Sequence, residues 1–151
     1  MPSKKTANLM TTNLVTIGCF DSLESAHALL KQHRIRHLPV IDGVGGVVGI
    51  LSDRDLLRGS VPSFGEDGSI ERRLNFLGGS LVQDYMTTAL RVIRIHGEIQ
   101  DAIEIMLEEK VSSCLVVERH EVVGIITYED LLEMLKGYVS KPSGSLRSSI
   151  A

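Results

Sequence analysis

The sequence predicts an α/β fold made of two copies of one β-α-β-β-α unit, packed with pseudo-two-fold symmetry. Three observations predict it: an internal repeat, the same alternation of strand and helix periodicity in each copy, and a unit too small to fold alone. The repeat organises the rest. Met10-Thr11-Thr12-Asn13-Leu14 returns as Met86-Thr87-Thr88-Ala89-Leu90, 76 residues on. Ala26, Ile35 and Val40 fall on Ala102, Val111 and Val116 at the same offset. One residue is lost after Asp42, so Val47-Val48-Gly49-Ile50 matches Val122-Val123-Gly124-Ile125 at an offset of 75. The copies close on Ser52-Asp53-Arg54-Asp55-Leu56-Leu57 and Thr127-Tyr128-Glu129-Asp130-Leu131-Leu132.

Each copy opens on a short apolar stretch, 14–17 and 90–95, read as a strand. Leu23, Ala26, Leu29 and Leu30 then recur at helical spacing, as do Ile99, Ala102, Ile103 and Met106. Asp21 or Ser22 supplies an N-cap for the first helix. Two β-rich runs follow, 37–41 with 47–51 and 113–117 with 122–126, joined by turns at 42–46 and 118–121. Gly43, Gly45 and Gly46 admit positive φ in the first turn. A second helix starts at Ser52 and at Thr127. A unit of about 50 residues buries too little surface to stand alone, so each sheet needs the other copy.

The copies span 8–58 and 80–138. Between them, 59–79 reads as a linker, with a loop at 61–68 and a short helix over 69–76 capped by Ser69. The serine-rich tail, 139–151, reads as disordered.

Composition bounds the function. Apolar residues make up 43% of the 151, and charged residues 23%, as in soluble globular domains. Aromatics are 4% and Trp is absent, so the core is aliphatic. A net charge of -3 opposes a nucleic-acid footprint. No apolar run reaches the roughly 18 residues of a membrane span. The opening residues, Lys4-Lys5 included, lack the apolar run of a signal peptide. Cys19 and Cys114 sit in apolar stretches, as buried thiols of a reducing compartment do. The expectation is a cytoplasmic protein with no membrane and no nucleic-acid partner. His27, His33 and His120 read as solvated surface residues, no Walker loop is present, and no nucleophile stands with a base at known spacing. An enzyme is not expected.

Ser52-x-x-Asp55 and Thr127-x-x-Asp130 place a hydroxyl and a carboxylate three apart at a helix start, which is the spacing of a capping box. The same place suits a ligand. Free N–H groups and the helix dipole favour a phosphate, and a carboxylate can accept from the two vicinal hydroxyls of a ribose.

The Met-Thr opening, the run Ile35-Arg36-His37-Leu38-Pro39-Val40-Ile41-Asp42 and the Gly-Ile-x-Ser/Thr-x-x-Asp ending resemble the cystathionine β-synthase (CBS) domain. Two in tandem, over about 8–58 and 80–136, resemble a stand-alone Bateman module. The resemblance implies a regulatory module that binds AMP, ADP or ATP, with S-adenosylmethionine or NAD as further candidates, and that requires no cofactor. It assigns Asp55 and Asp130 to ribose and Ser52 and Thr127 to phosphate. It also implies composite sites. One joins Thr127 and Asp130 to Asn13, Val15, Ile35, Arg36, His37 and Pro39. The other joins Ser52 and Asp55 to Ala89, Arg91, Val111, Ser112 and Ser113, with Arg54, Arg91 or Arg94 as cations. Arg36 and His37 make the first site more cationic, so the Asp130 site is expected to hold a charged nucleotide more tightly. Its affinity should rise as pH falls toward the ~6.5 of an ordinary imidazole at His37. Leu56, Leu57, Leu131, Leu132, Met134 and Leu135 are candidates for a homodimer interface through helices. No effector domain is expected outside the repeats, so regulation would act on an unidentified separate target protein or through the chain's own assembly. The alternative is a ligand-free scaffold with vestigial sites.

Overall fold

The computed structural model describes residues 5–64, 66 and 70–139. Copy one runs β1 (Ile17–Gly18), α1 (Leu23–His33), β2 (His37–Ile41), β3 (Val47–Ser52) and α2 (Asp53–Arg58). A hairpin follows, β4 (Ser60–Phe64) with β5 (Ile70–Phe76), and then α3 (Val82–Tyr85). Copy two is β6 (Val92–Arg94), α4 (Ile99–Glu109), β7 (Ser113–Glu118), β8 (Glu121–Thr127) and α5 (Tyr128–Lys136). Each copy forms a three-stranded sheet, with β1 parallel to β2 and β2 antiparallel to β3, and β6, β7 and β8 arranged likewise.

The helices form where the periodicity predicts. Leu23, Ala26 and Leu30 are buried on α1, and Ile99, Ala102 and Met106 on α4. Ser22, not Asp21, caps α1 by accepting from the Ser25 amide at 3.1 Å. Of the three turn glycines only Gly45 takes positive φ (84°). The second hairpin turns on Arg119 (φ 47°) and His120 (φ 68°), the backbone a two-residue hairpin demands even without glycine.

The opening of each copy is built into the other. Thr11 exchanges hydrogen bonds with Ile125 at 2.9 and 3.0 Å, and Thr87 does so with Ile50 at 2.9 Å both ways. Leu9 and Met10 pack on the core of copy two, around Met106, Val116 and Ile126. Val82, Tyr85 and Met86 join the core of copy one, around Leu38, Val40 and Leu51. The fully buried Thr6 donates its amide and its Oγ1 to the Gly97 carbonyl at 3.0 and 2.9 Å. This crossing explains two repeated features together. A Cβ on Gly49 would stand 2.5 Å from Met86 Sδ and 3.1 Å from the Thr87 carbonyl oxygen. On Gly124 it would stand 2.8 Å from Met10 Sδ and 3.0 Å from the Thr11 carbonyl oxygen. The Met-Thr opening of one copy needs the bare glycine of the other.

Three expectations are corrected. The first strands are Ile17–Gly18 and Val92–Arg94 rather than 14–17 and 90–95, because the chain turns tightly just before them, the Leu14 and Leu90 amides donating to the Thr12 and Thr88 carbonyls at 3.0 and 2.9 Å. The linker is not a loop followed by a helix. Residues 60–64 and 70–76 pair as antiparallel strands, with Phe64 opposite Ile70 and Ser60 opposite Phe76. A helix of two turns would leave most of its terminal N–H and C=O groups unpaired, whereas the hairpin pairs them. His27 is half-buried rather than solvated, edge-on to Phe76 at 5.7 Å, and so ties the hairpin to α1. The cap assigned to Ser69, the tail beyond Val139 and Lys4 lie outside the described residues.

Candidate functional site

Strand register sets the geometry. His37 pairs with Ser52 across β2 and β3, and Ser113 pairs with Thr127 across β7 and β8. The N-cap of each second helix therefore stands beside the first residue of its central strand. Its first helical amide is anchored there too, Asp53 to the Arg36 carbonyl at 3.0 Å and Tyr128 to the Ser112 carbonyl at 3.1 Å. The crossed openings bring these corners of the two copies face to face. At the centre His37 Nε2 lies 2.6 Å from Ser112 Oγ.

Two clefts flank that contact. Cleft one, of about 290 Å³, joins Thr127 and Asp130 to Asn13, Val15, Ile35, Arg36, His37 and Pro39. Cleft two, of about 140 Å³, joins Ser52 and Asp55 to Ala89, Arg91, Val111, Ser112 and Ser113. Arg54 lines both, and Arg94 lines neither. Sequence reasoning missed Thr11, Leu14, Asp53, Ile125, Tyr128 and Glu129 in cleft one. It also missed Ile50, Thr87, Leu90, Lys110 and Leu115 in cleft two. Thr11 and Ile125 in cleft one are the repeat equivalents of Thr87 and Ile50 in cleft two, but the repeat by itself places neither pair in a cleft.

Both acids sit in capping boxes, but their free oxygens differ. Asp130 Oδ2 accepts from the Thr127 amide at 2.9 Å and from its hydroxyl at 3.2 Å. Oδ1 accepts no hydrogen bond among the described residues. Burial pushes this carboxyl above the usual carboxylate range, against the two Thr127 hydrogen bonds. Asp55 Oδ2 is held in the same way by Ser52, at 2.8 and 3.1 Å. Its Oδ1 accepts from Arg58 Nη2 at 2.7 Å, and the same nitrogen donates to the Tyr85 carbonyl at 2.8 Å.

The cationic advantage expected of cleft one is absent. Arg36 Nε pairs with Glu129 across the cleft at 3.3 Å. Burial, with Arg36 nearby, lowers the His37 pKa below its ordinary value despite Asp53, Glu129 and Asp55. Cleft one thus carries two arginines, Arg36 and Arg54, against three acids, Asp53, Glu129 and Asp130. In cleft two Arg91 is paired with Glu109 and donates to the Ala89 carbonyl at 2.8 Å.

The CBS domain profile matches residues 7–61 and 82–137. This chain belongs to the CBS domain family. It is 27% identical over 122 residues to the CBS domain-containing protein YhcV of Bacillus subtilis, covering 81% of this chain and 79% of that one. Two solved CBS structures share the fold. The CBS pair of protein MJ0100, in complex with 5′-methylthioadenosine and S-adenosyl-L-methionine, superposes with a TM-score of 0.74 at 22% identity, over 91% of this chain and all of that one. CBSX2 in complex with AMP gives 0.70 at 24%, over 90% and 98%. No helix among the described residues is long and apolar enough to cross a membrane.

Proposed function

We propose that this CBS pair is a regulatory module that binds an adenosine-containing ligand between its copies, above all in cleft one. The observation that carries the reading is Asp130. This half-buried carboxylate has one oxygen fixed by Thr127 and the other open to the cleft, opposite the apolar wall of Val15, Ile35 and Pro39. Vicinal hydroxyls of a ribose satisfy the open oxygen, and the base lies against the wall. The phosphate lies near Thr127, with Arg36 and Arg54 in reach of it. The adenosine ligands of MJ0100 and CBSX2 support this class of ligand.

Charge refines the choice among AMP, ADP and ATP. Three acids against two arginines disfavour each added phosphate. AMP is therefore the preferred nucleotide, and S-adenosylmethionine and NAD remain within the class. The wall belongs to copy one and Asp130 to copy two, so ligand binding favours one relative placement of the copies. That population shift is the signal. It passes to a separate target protein in the cytoplasm, where the free thiols of Cys19 and Cys114 persist. A homodimer through helices uses the exposed Leu57, Leu132 and Leu135. Leu56 is only 2% exposed and Leu131 packs on the core of copy two, so both leave the interface set, and Met134 is half-buried.

Titration calorimetry with AMP tests the reading. Asp130→Ala should weaken binding about 10- to 100-fold, the loss of one charged hydrogen-bonding group. Wild-type chain at 100 times its dissociation constant should gain about 2.7 kcal/mol of stability. Neither heat nor stabilisation with any adenine nucleotide would leave the scaffold reading.

A further inference from the structure

We infer that cleft two is closed by its own side chains, so that the chain carries a single nucleotide, in cleft one. This rests on the reading of cleft one above and adds the reason why the duplication does not double the site. Three features close cleft two. The Asp55 oxygen that corresponds to the open oxygen of Asp130 is taken by Arg58 at 2.7 Å. Arg58 is held in turn by the Tyr85 carbonyl at 2.8 Å, so the lock spans both copies. Copy two has Glu133 at the matching position (58 + 75), where it pairs with Lys136 and locks nothing. Arg91 stands where cleft one has Val15 (15 + 76). Its pairing with Glu109 and its bond to the Ala89 carbonyl at 2.8 Å fix the long side chain along the cleft wall.

Size agrees. Ligand sites start near 300 Å³. Cleft one comes close to that with about 290 Å³, and cleft two, at about 140 Å³, is half the size. A ribose entering cleft two would have to replace a charged donor on Asp55 with neutral hydroxyls, and charged donors bind a carboxylate more strongly. Arg58 is thus a positioning residue. It satisfies Asp55 and fastens α2 to the end of α3.

AMP stoichiometry by calorimetry on the full chain decides. The wild type should take one equivalent. Asp55→Asn should leave stoichiometry and affinity unchanged, because an Asn at N3 still accepts from the Ser52 amide, whereas Asp130→Asn should weaken binding about 10- to 100-fold. The double variant Arg58→Gln/Arg91→Val should gain a second equivalent, lost again on adding Asp55→Asn. Two equivalents in the wild type, one of them lost in Asp55→Asn, overturn the inference while leaving cleft one intact. A folded double variant that stays at one equivalent overturns the roles given to Arg58 and Arg91. No binding at all brings down the reading of cleft one and this inference with it.

Discussion

The two clefts share a backbone and differ in what fills it. In both, a capped helix start stands beside the first residue of a central strand, facing the opening of the other copy. Cleft one lines this frame with Val15 and Pro39 and leaves one oxygen of Asp130 open. Cleft two has Arg91 and Leu115 at the matching positions and gives the corresponding oxygen of Asp55 to Arg58. Residues that build the shared frame recur: Met-Thr, the glycine beneath it, and the Ser/Thr-x-x-Asp helix cap. Wall residues diverge, Val15 against Arg91 and Arg54 against Glu129, and so does the residue three after each acid, Arg58 against Glu133. Symmetry here belongs to assembly, and asymmetry to recognition.

The largest expected effect tests the symmetric part. Gly49→Ala and Gly124→Ala each press a Cβ against a methionine sulfur and a backbone carbonyl of the opposite copy. The sulfur can swing away, but the carbonyl belongs to the cross-copy pairing. Each variant should lose about 1–3 kcal/mol, the usual cost of overpacking, read as a lower urea midpoint. A large loss at one glycine and none at the other would show that the two crossings are not equivalent.

The same division decides what the sequence could disclose. Apolar periodicity placed α1 and α4, and the repeat placed both hairpins and both caps, because these depend on local pattern. The composite grouping of Asn13, Val15 and Ile35 with Thr127 and Asp130 followed from the family resemblance. The structure adds its physical cause, the exchange of openings at Thr11 and Thr87. The 60–76 hairpin was not legible, since Arg72-Arg73 and the intervening Gly and Pro residues show no strand alternation. The Arg36–Glu129 pair and the Arg58 lock were not legible either. Each depends on where a long flexible side chain ends, which spacing does not encode.

A smaller effect separates the clefts by charge. Glu129 occupies the position that Arg54 holds in copy one (54 + 75), and it adds a third acid to cleft one. Removing that charge with Glu129→Gln should favour ATP over AMP. One charge near a phosphate at an exposed site is worth about 0.5–1 kcal/mol, so ATP binding should tighten about two- to five-fold relative to AMP. The gain should shrink as salt rises. An unchanged ATP-to-AMP ratio at low salt would show that Glu129 does not face the phosphates.

The smallest effect concerns the contact between the clefts. His37 meets Ser112 at 2.6 Å, and burial holds its imidazole below the ordinary pKa of 6.5. Copy two has Ser113 at the position matching His37 (37 + 76), so only copy one places a titrating side chain there. The folded chain therefore takes up the proton less readily than the unfolded chain. Between the folded pKa and 6.5 the unfolded state holds more protons, so stability rises with pH across that window and is lost as pH falls through it. The slope cannot exceed one proton, about 1.4 kcal/mol per pH unit. The carboxyl of Asp130 shifts the other way from 3.8, so its contribution belongs at more acid pH. Urea unfolding of wild type and His37→Gln at pH 5.5 and 7.5 reads the difference. The wild type should be less stable at 5.5, and the variant should lose part of that dependence. An equal dependence in both would place the titrating group elsewhere. If AMP binding also tightens on acidification in the wild type but not in His37→Gln, the imidazolium reaches the phosphate. The His37–Ser112 contact then reports to cleft one through its charge as well as joining the copies.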